Sequence, residues 1–129
     1  MEVKKKKFGI LSDGSKVSLY KVSNGDVSFV ATNYGCVITS LLVPSKSGAV
    51  DDIVLAPPTM DSLIVSDASF GGIVGRFANR IGNACFTLNG REYQLDKNDG
   101  ENCLHGGFLR WDKQVWNEAE IVEFRDGAG

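Results

Sequence analysis

The dipeptide Asn89-Gly90 constrains the fold of this chain more than any other local feature. It separates two short runs of β-forming residues, Cys85–Leu88 and Arg91–Gln94. Asn-Gly is the preferred pair for a two-residue type I′ turn, because both central residues need a positive φ. The sequence therefore predicts an antiparallel hairpin, and connections this short favour antiparallel sheets over parallel ones.

The rest of the chain has the same pattern of short apolar runs separated by turns. Further strands are predicted at residues 17–22, 27–32, 36–43, 50–55 and 114–124. The run at 36–43 is nearly continuously apolar, which predicts a strand covered on both faces. A short helix is predicted to follow Thr59, which can cap it, and to extend through Val65. The predicted fold class is mostly β and antiparallel, in a single domain over residues 1–129.

Composition excludes several classes of protein. The net charge is −2, and positive charge is concentrated in the four lysines of residues 4–7, which predict a solvated basic N-terminal tail rather than a nucleic-acid site. No stretch approaches the about 18 apolar residues of a membrane span, and none resembles a signal peptide. Three widely spaced cysteines and one histidine fit neither a disulfide framework nor a zinc site. We expect a cytoplasmic protein with no bound metal and no nucleic-acid or membrane partner.

The only histidine, His105, is the first candidate site residue. Gly106 and Gly107 follow it, so a ligand can approach the ring without side-chain bulk beside it. Near neutral pH an imidazole can donate or accept a hydrogen bond. A purely structural role is the alternative interpretation. Trp111 and Trp116, just downstream, could offer an apolar face to a sugar ring or could pack in the core.

A second candidate group lies in the run GRFANR at residues 75–80. Asn79 and Arg80 can reach one pocket if a turn intervenes. Arginine offers a rigid fork of donors and asparagine offers a donor and an acceptor, a combination that suits the vicinal hydroxyls of a sugar. A surface pair, Arg76 and Arg80, is the structural alternative. The glycines of residues 70–75 lack the Lys-Ser/Thr of a phosphate loop, and they predict a close backbone approach or a bulge.

The acidic side chains give no comparable signal. The chain has 16 Asp and Glu residues, and no pair among them can be singled out from spacing. Cys103 lies close to His105 in sequence, but nothing marks its thiol as activated. The residues therefore do not assemble into a recognisable nucleophile-base constellation.

Together these runs resemble the aldose 1-epimerase (galactose mutarotase) family. The matching stretches are FGGIVGRFANRI at residues 70–81, FTLNGREYQL at 86–95 and NCLHGG at 102–107, followed by Trp111-Asp112-Lys113 and Val115-Trp116. The similarity extends over about residues 8–116. It implies that the chain is part of a large antiparallel β-sandwich, with a sugar site in an open groove on one sheet.

The resemblance also implies a chemistry. Members of the family interconvert the α and β anomers of free hexoses such as galactose and glucose by acid-base ring opening, without a metal or organic cofactor. Asn79, Arg80 and His105 match substrate-contacting positions, and His105 matches a histidine that supports the transition state. The family's general acid is a second histidine and its general base is a late glutamate. This chain has one histidine, so we expect a truncated, N-terminal portion that lacks both groups.

Other interpretations stay open. They are a non-catalytic carbohydrate-binding module or pseudoenzyme, a structural or regulatory fragment without a ligand, and an epimerase of a phosphorylated hexose. The last requires a cationic pocket, to which Arg76, Arg80 and Arg110 could contribute. An incomplete sandwich leaves strand edges without partners, so we expect self-association or a complementing second polypeptide. A monomer that melts cooperatively in calorimetry would contradict that expectation.

Overall fold

A five-stranded antiparallel sheet is the main element of the computed structural model, which describes residues 2–118, 120–124 and 127–128. Its strands are β1 (Glu2–Ile10), β2 (Lys16–Ser23), β3 (Ser28–Thr32), β4 (Ile38–Pro44) and β5 (Val50–Asp52). Strands adjacent in sequence are adjacent in the sheet, so β1 and β5 form its two edges. The meander follows from the short turns that separate the apolar runs.

The remaining elements are short. They are α1 (Met60–Val65), β6 (Arg80–Ile81), β7 (Cys85–Leu88), β8 (Arg91–Gln94), β9 (Cys103–Leu104), β10 (Glu123–Phe124), β11 (Gly127–Ala128) and the 3-10 turns Gly82–Ala84 and Trp111–Lys113. β6 pairs with β9, β7 with β8 and β10 with β11, each time antiparallel. The predicted class, mostly β and antiparallel, is confirmed. Within the described part of the chain, no helix is long and apolar enough to cross a membrane.

The helix α1 begins where the sequence predicts it. Thr59 Oγ1 accepts a hydrogen bond from the Ser62 amide at 3.2 Å, and the Ser62 hydroxyl accepts one from the Thr59 amide at 3.0 Å. This reciprocal arrangement satisfies an amide group that the first turn of a helix leaves without an intrahelical partner. Leu63 is the buried side chain of α1 and contacts the core.

The hydrophobic core is small and lies where the sheet, α1 and the later loops meet. Val17, Tyr34, Val37 and Leu63 are buried and form one cluster. Partly buried apolar side chains pack around it: Phe8, Leu11, Met60 and Val115. Elsewhere many large apolar side chains are exposed, among them Phe29, Val50, Ile53, Leu55, Phe77 and Leu109.

An open groove of about 320 Å³ lies along β1, β2 and β3 beside Trp116.

The four-lysine run is a strand, whereas the sequence predicts a tail. Residues 4–7 lie in β1, with Lys4 opposite Lys21 and Lys7 opposite Ser18 on β2. Their side chains are exposed, as expected. The strand conformation depends on pairing with β2, a partner that local composition does not reveal, and lysines are well tolerated on an edge strand.

Three other strand predictions are wrong in part. β4 begins at Ile38 because Cys36 has a positive φ of 49°, and its residues are exposed or half-buried rather than covered on both faces. β5 ends at Asp52 rather than at residue 55. Between residues 114 and 122, the described residues form a single bridge, from Val115 to Tyr34, in place of a strand. Ala119 lies outside the described residues.

The predicted hairpin of β7 and β8 is confirmed. Asn89 has a φ of 52° and Gly90 a φ of 75°, as a type I′ turn requires. Leu88 faces Arg91 across the turn. The rings of Phe86 and Tyr93 stack with their centroids 5.1 Å apart.

Replacing Gly90 with alanine is expected to lower the free energy of unfolding by about 1 kcal/mol. A Cβ at this position meets nothing within 4 Å, so the cost comes from the left-handed backbone and not from a clash. Gly82→Ala is the matched control, because its Cβ also meets nothing and its φ is not in the left-handed region. Urea denaturation measures both variants, and equal losses would contradict the prediction.

Candidate functional site

Asn79 and His105 are brought together by the pairing of β6 with β9, in which Arg80 faces Leu104. The His105 amide donates to the Asn79 carbonyl oxygen at 3.0 Å. The Asn79 amide in turn donates to Nδ1 of the His105 ring at 3.0 Å. Because Nδ1 accepts this bond, the proton of the neutral ring lies on Nε2. His105 therefore has an N–H donor on the side of the ring away from Asn79.

Both residues have left-handed backbone conformations. The φ of Asn79 is 64° and that of His105 is 56°. Such conformations are uncommon outside glycine and persist where the surroundings fix them, often at functional sites. Here the two reciprocal hydrogen bonds fix the two backbones against each other.

Arg80 joins the same cluster through two contacts. Its Nε donates to Oδ2 of Asp99 at 2.6 Å, and its Nη1 donates to Oδ1 of Asn79 at 3.4 Å. The side chains of Arg80 and Asp99 are 54% and 32% exposed. The guanidinium is thus held at Nε by Asp99 and at Nη1 by Asn79, while about half of the Arg80 side chain stays exposed. The structure brings the three predicted residues Asn79, Arg80 and His105 together.

Asp99 is the member of the cluster that could not be singled out from the sequence. It lies 19 residues from Arg80, and in the sequence it is one of several carboxylates in a polar loop. Its backbone is fixed by a two-residue bridge, in which the Asn102 amide donates to the Asp99 carbonyl oxygen at 3.0 Å and the Asp99 amide donates back at 3.2 Å. The available signal was its position in the loop that leads to His105.

The loop that carries His105 is held by the side chain of Asn98. Its Oδ1 accepts from the Leu104 amide at 2.7 Å, and its Nδ2 donates to the carbonyl oxygens of Leu104 at 2.8 Å and Gly107 at 3.1 Å. These three hydrogen bonds fix the backbone on both sides of His105, at Leu104 and at Gly107. Such support from outside the contacting residues is what a preorganised site needs.

Glycines allow the two site segments to approach each other. A Cβ on Gly106 would lie 2.2 Å from the Gly75 carbonyl oxygen, and a Cβ on Gly75 would lie 2.4 Å from the Trp111 ring. The Trp111 amide donates to the same Gly75 oxygen at 3.2 Å. The close backbone approach predicted for the glycines of residues 70–75 is confirmed.

The other two arginines considered for an anionic pocket are already engaged. The Arg76 guanidinium lies over the Trp111 ring, 5.3 Å from its centroid. Arg110 forms a bidentate pair with Asp112, with Nε donating to Oδ1 at 2.7 Å and Nη2 to Oδ2 at 2.6 Å, and Nη2 also donates to the Ser69 hydroxyl at 2.5 Å. Burial of Asp112 disfavours its charge, but hydrogen bonds from Arg110 and Ser69 outweigh burial and lower the pKa of the carboxyl.

The two tryptophans pack against each other edge to face, with ring centroids 5.7 Å apart. Trp116 Nε1 also donates to the Trp111 carbonyl oxygen at 3.1 Å. Both rings are half-buried, so packing is a role that both perform. No group of three or more His, Cys, Asp or Glu side chains that could hold a metal ion is found within residues 2–118, 120–124 and 127–128.

Comparison with known proteins identifies the family of this chain. The family model for aldose 1-epimerase matches residues 18–128. The galactose mutarotase of Mus musculus is 38% identical over 110 residues, which cover 84% of this chain and 32% of that protein. The galactose mutarotase of Bos taurus is 36% identical over 121 residues, which cover 91% and 35%. The chain therefore spans about a third of the length of the curated relatives it matches.

Solved structures of aldose epimerases have a similar fold. A GalM/aldose epimerase homologue from C. elegans has a TM-score of 0.73 at 29% identity, covering 84% of this chain and 33% of that chain. A galactose 1-epimerase from Lactobacillus acidophilus has a TM-score of 0.82 at 22% identity, covering 98% and 36%. The expected galactose mutarotase-like fold is confirmed. With its mostly antiparallel β structure and a family match over residues 18–128, the chain belongs to the aldose 1-epimerase family.

Proposed function

We propose that this chain forms the sugar-binding part of an aldose 1-epimerase site, where the α and β anomers of a free hexose such as galactose or glucose interconvert. The observation that supports the proposal is the contact of Asn79 with both His105 and Arg80 in one cluster. The Nε2–H group of His105, the Nη groups of Arg80 and the Asn79 side-chain amide are donors suited to sugar hydroxyls. Asn79, Arg80 and His105 are the substrate-binding residues in this proposal.

The role proposed for His105 follows from its tautomer. Ring opening removes a proton from the anomeric O1 and adds one to the ring O5. A neutral imidazole with its proton on Nε2 can donate a hydrogen bond to a sugar oxygen as negative charge develops there, which stabilises the transition state. This is a supporting role. His105 is the only histidine of the sequence, so the second histidine that the family resemblance implies as general acid has no counterpart among these residues.

We also propose that the protein is cytoplasmic and that its site uses neither a metal nor an organic cofactor. The thiols of Cys36, Cys85 and Cys103 are free, which is typical of proteins from a reducing compartment. Burial raises the pKa of the Cys36 thiol. That shift keeps the thiol protonated and unreactive near neutral pH.

A second candidate, a carbohydrate-binding module without catalysis, is favoured by the pairing of Asp99. This carboxylate accepts from Arg80 Nε at 2.6 Å. Within the cluster of Asn79, Arg80, Asp99 and His105, this one carboxylate is thus already paired with a proposed binding residue. The described cluster therefore holds sugar-binding groups without a carboxylate free to deprotonate O1.

Galactose affinity is expected to fall about fivefold in His105→Ala, the loss of one hydrogen bond to a sugar oxygen. NMR titration of the ¹⁵N-labelled chain with galactose measures the change. Gln94→Ala is the control, because this exposed side chain lies in the hairpin and contacts Glu92 rather than the cluster. Equal affinities for the wild type and His105→Ala would contradict the assignment of His105.

Polarimetry on fresh α-galactose or α-glucose tests whether this chain alone speeds ring opening. Anomerisation faster than the buffer blank would support an enzymatic site in the chain itself and contradict the binding module. Sugar binding with anomerisation at the rate of the blank would rule out catalysis by this chain alone and leave sugar binding as its role. A chain that neither binds galactose nor speeds its anomerisation would contradict both candidates.

A further inference from the structure

We propose that Asp99 makes this site selective for an uncharged hexose over a hexose phosphate. The inference rests on the proposed function, because it concerns the sugar ligand of the same site. It starts from the ion pair between Asp99 Oδ2 and Arg80 Nε, at 2.6 Å. Arg80 is a sugar-binding residue in the proposal, so the charge next to it affects which sugars bind.

The carboxylate is held in place by the fold. The Asp99 backbone forms the bridge with Asn102, and Asn102 Oδ1 in turn accepts from the Asn83 amide at 3.2 Å. Asn83 lies in the 3-10 turn Gly82–Ala84, which follows β6 directly in the chain. Because β6 also carries Arg80, the two members of the ion pair are positioned by connected backbone segments.

The ion pair between Asp99 and Arg80 favours the binding of an uncharged hexose and disfavours the binding of a hexose phosphate. Asp99 occupies the Nε edge of the Arg80 guanidinium and so fixes the orientation of that planar group. The remaining N–H groups of Arg80 can then donate to neutral hydroxyls. A phosphate group instead favours an uncompensated guanidinium that it can contact with two oxygens. Next to Asp99, the phosphate would meet a guanidinium whose charge is already balanced and a carboxylate of its own sign. Specificity often relies on a repulsive element of this kind.

The neighbouring arginines do not restore the missing positive charge. Arg110 donates from Nε and Nη2 to both oxygens of the Asp112 carboxylate, which is 3% exposed. Of the three arginines that could form a phosphate pocket, Arg80 and Arg110 thus each have a carboxylate partner, and Arg76 lies over Trp111. The charge distribution favours a neutral ligand.

The test compares Asp99→Asn with Glu101→Gln. Glu101 lies in the same loop and pairs with Lys97, so its replacement removes the same charge without touching Arg80. NMR titrations with galactose and with galactose 6-phosphate, at one ionic strength, give both affinities. In Asp99→Asn we expect galactose to bind about threefold more weakly and galactose 6-phosphate about threefold more tightly, the range of an exposed ion pair. In Glu101→Gln the ratio of the two affinities should change less than about twofold.

Each outcome decides a separate point. If Asp99→Asn changes both affinities by the same factor, the role of Asp99 is structural and the inference is wrong, while the proposed function stands. If the wild type binds galactose 6-phosphate more tightly than galactose, the inference is also wrong. If the wild type binds neither sugar, the proposed function fails and the inference fails with it. Asp99→Ser serves as a second variant should Asp99→Asn not fold, because its backbone can keep the bridge with Asn102.

Discussion

Gly106→Ala is expected to destabilise the chain by about 3 kcal/mol, because backbone strain and an unavoidable clash add together. The φ of Gly106 is 92°, and an added Cβ would lie 2.2 Å from the Gly75 carbonyl oxygen and 2.7 Å from the Arg76 nitrogen. These are backbone atoms, so no side-chain rotation can relieve the overlap. The two site segments must separate, which breaks the hydrogen bonds between Asn79 and His105. Galactose binding should therefore be lost together with stability.

The matched control for this variant is Gly100→Ala. Gly100 also has a positive φ, 60°, but its Cβ would meet nothing within 4 Å. Its replacement should cost only the strain of a left-handed residue, about 1 kcal/mol. Urea denaturation and galactose titration measure both variants. If Gly106→Ala were as stable as Gly100→Ala, the close contact between residues 75–76 and 105–107 would not contribute to the stability of the chain.

The second large effect is expected for Asp112→Asn, which should lower the free energy of unfolding by about 3 kcal/mol. Asp112 is 3% exposed, and the side chain of its partner Arg110 is 14% exposed. Removing the carboxylate charge leaves a largely buried guanidinium without the anion that it contacts with two hydrogen bonds. The double variant Arg110→Gln/Asp112→Asn should recover part of the loss, because neither charge is then left unpaired. Asp26→Asn, at an exposed turn residue, is the control and should have little effect.

The pH dependence of Asp112→Asn provides an independent measurement. Hydrogen bonds from Arg110 and Ser69, acting against burial, lower the pKa of Asp112 in the folded chain. In the unfolded chain this pKa is about 3.9. The unfolded state therefore takes up the proton first as the pH falls, so the stabilisation is complete above about pH 5 and is lost as the pH falls through the lowered pKa. The wild type should lose more stability than Asp112→Asn between neutral and acid pH, and parallel losses would contradict this account.

Features set by a few neighbouring residues could be predicted from the sequence. The type I′ turn depends on Asn89 and Gly90 themselves, and the start of α1 depends on Thr59 and a partner three residues away. Both are confirmed because local chemistry determines them. The closeness of Asn79, Arg80 and His105 was inferred from two motifs together with the family resemblance. Their roles in binding stay predictions.

Features set by distant partners could not be predicted in this way. Asp99 meets Arg80 because β6 pairs with β9, and each of these strands has two residues, too few to leave a periodic pattern. Arg110 and Asp112 are two residues apart in sequence, but their burial depends on the loop that carries Ser69. The strand conformation of the four-lysine run could not be predicted for the same reason, since it depends on pairing with β2.

The edge position of β1 has a practical consequence for handling the protein. An edge strand can pair with a strand from another molecule. If the β1 strands of two molecules paired, the lysines of residues 4–7 on each would come close together. Lys4 and Lys5 pair with Glu2 and Glu118, so the uncompensated repulsion comes mainly from Lys6 and Lys7. The Debye length shrinks from about 10 Å at 0.1 M salt to about 3 Å at 1 M. Repulsion between lysine-bearing edges should therefore be weaker in concentrated salt than at low ionic strength, and light scattering at the two salt concentrations would measure whether association changes.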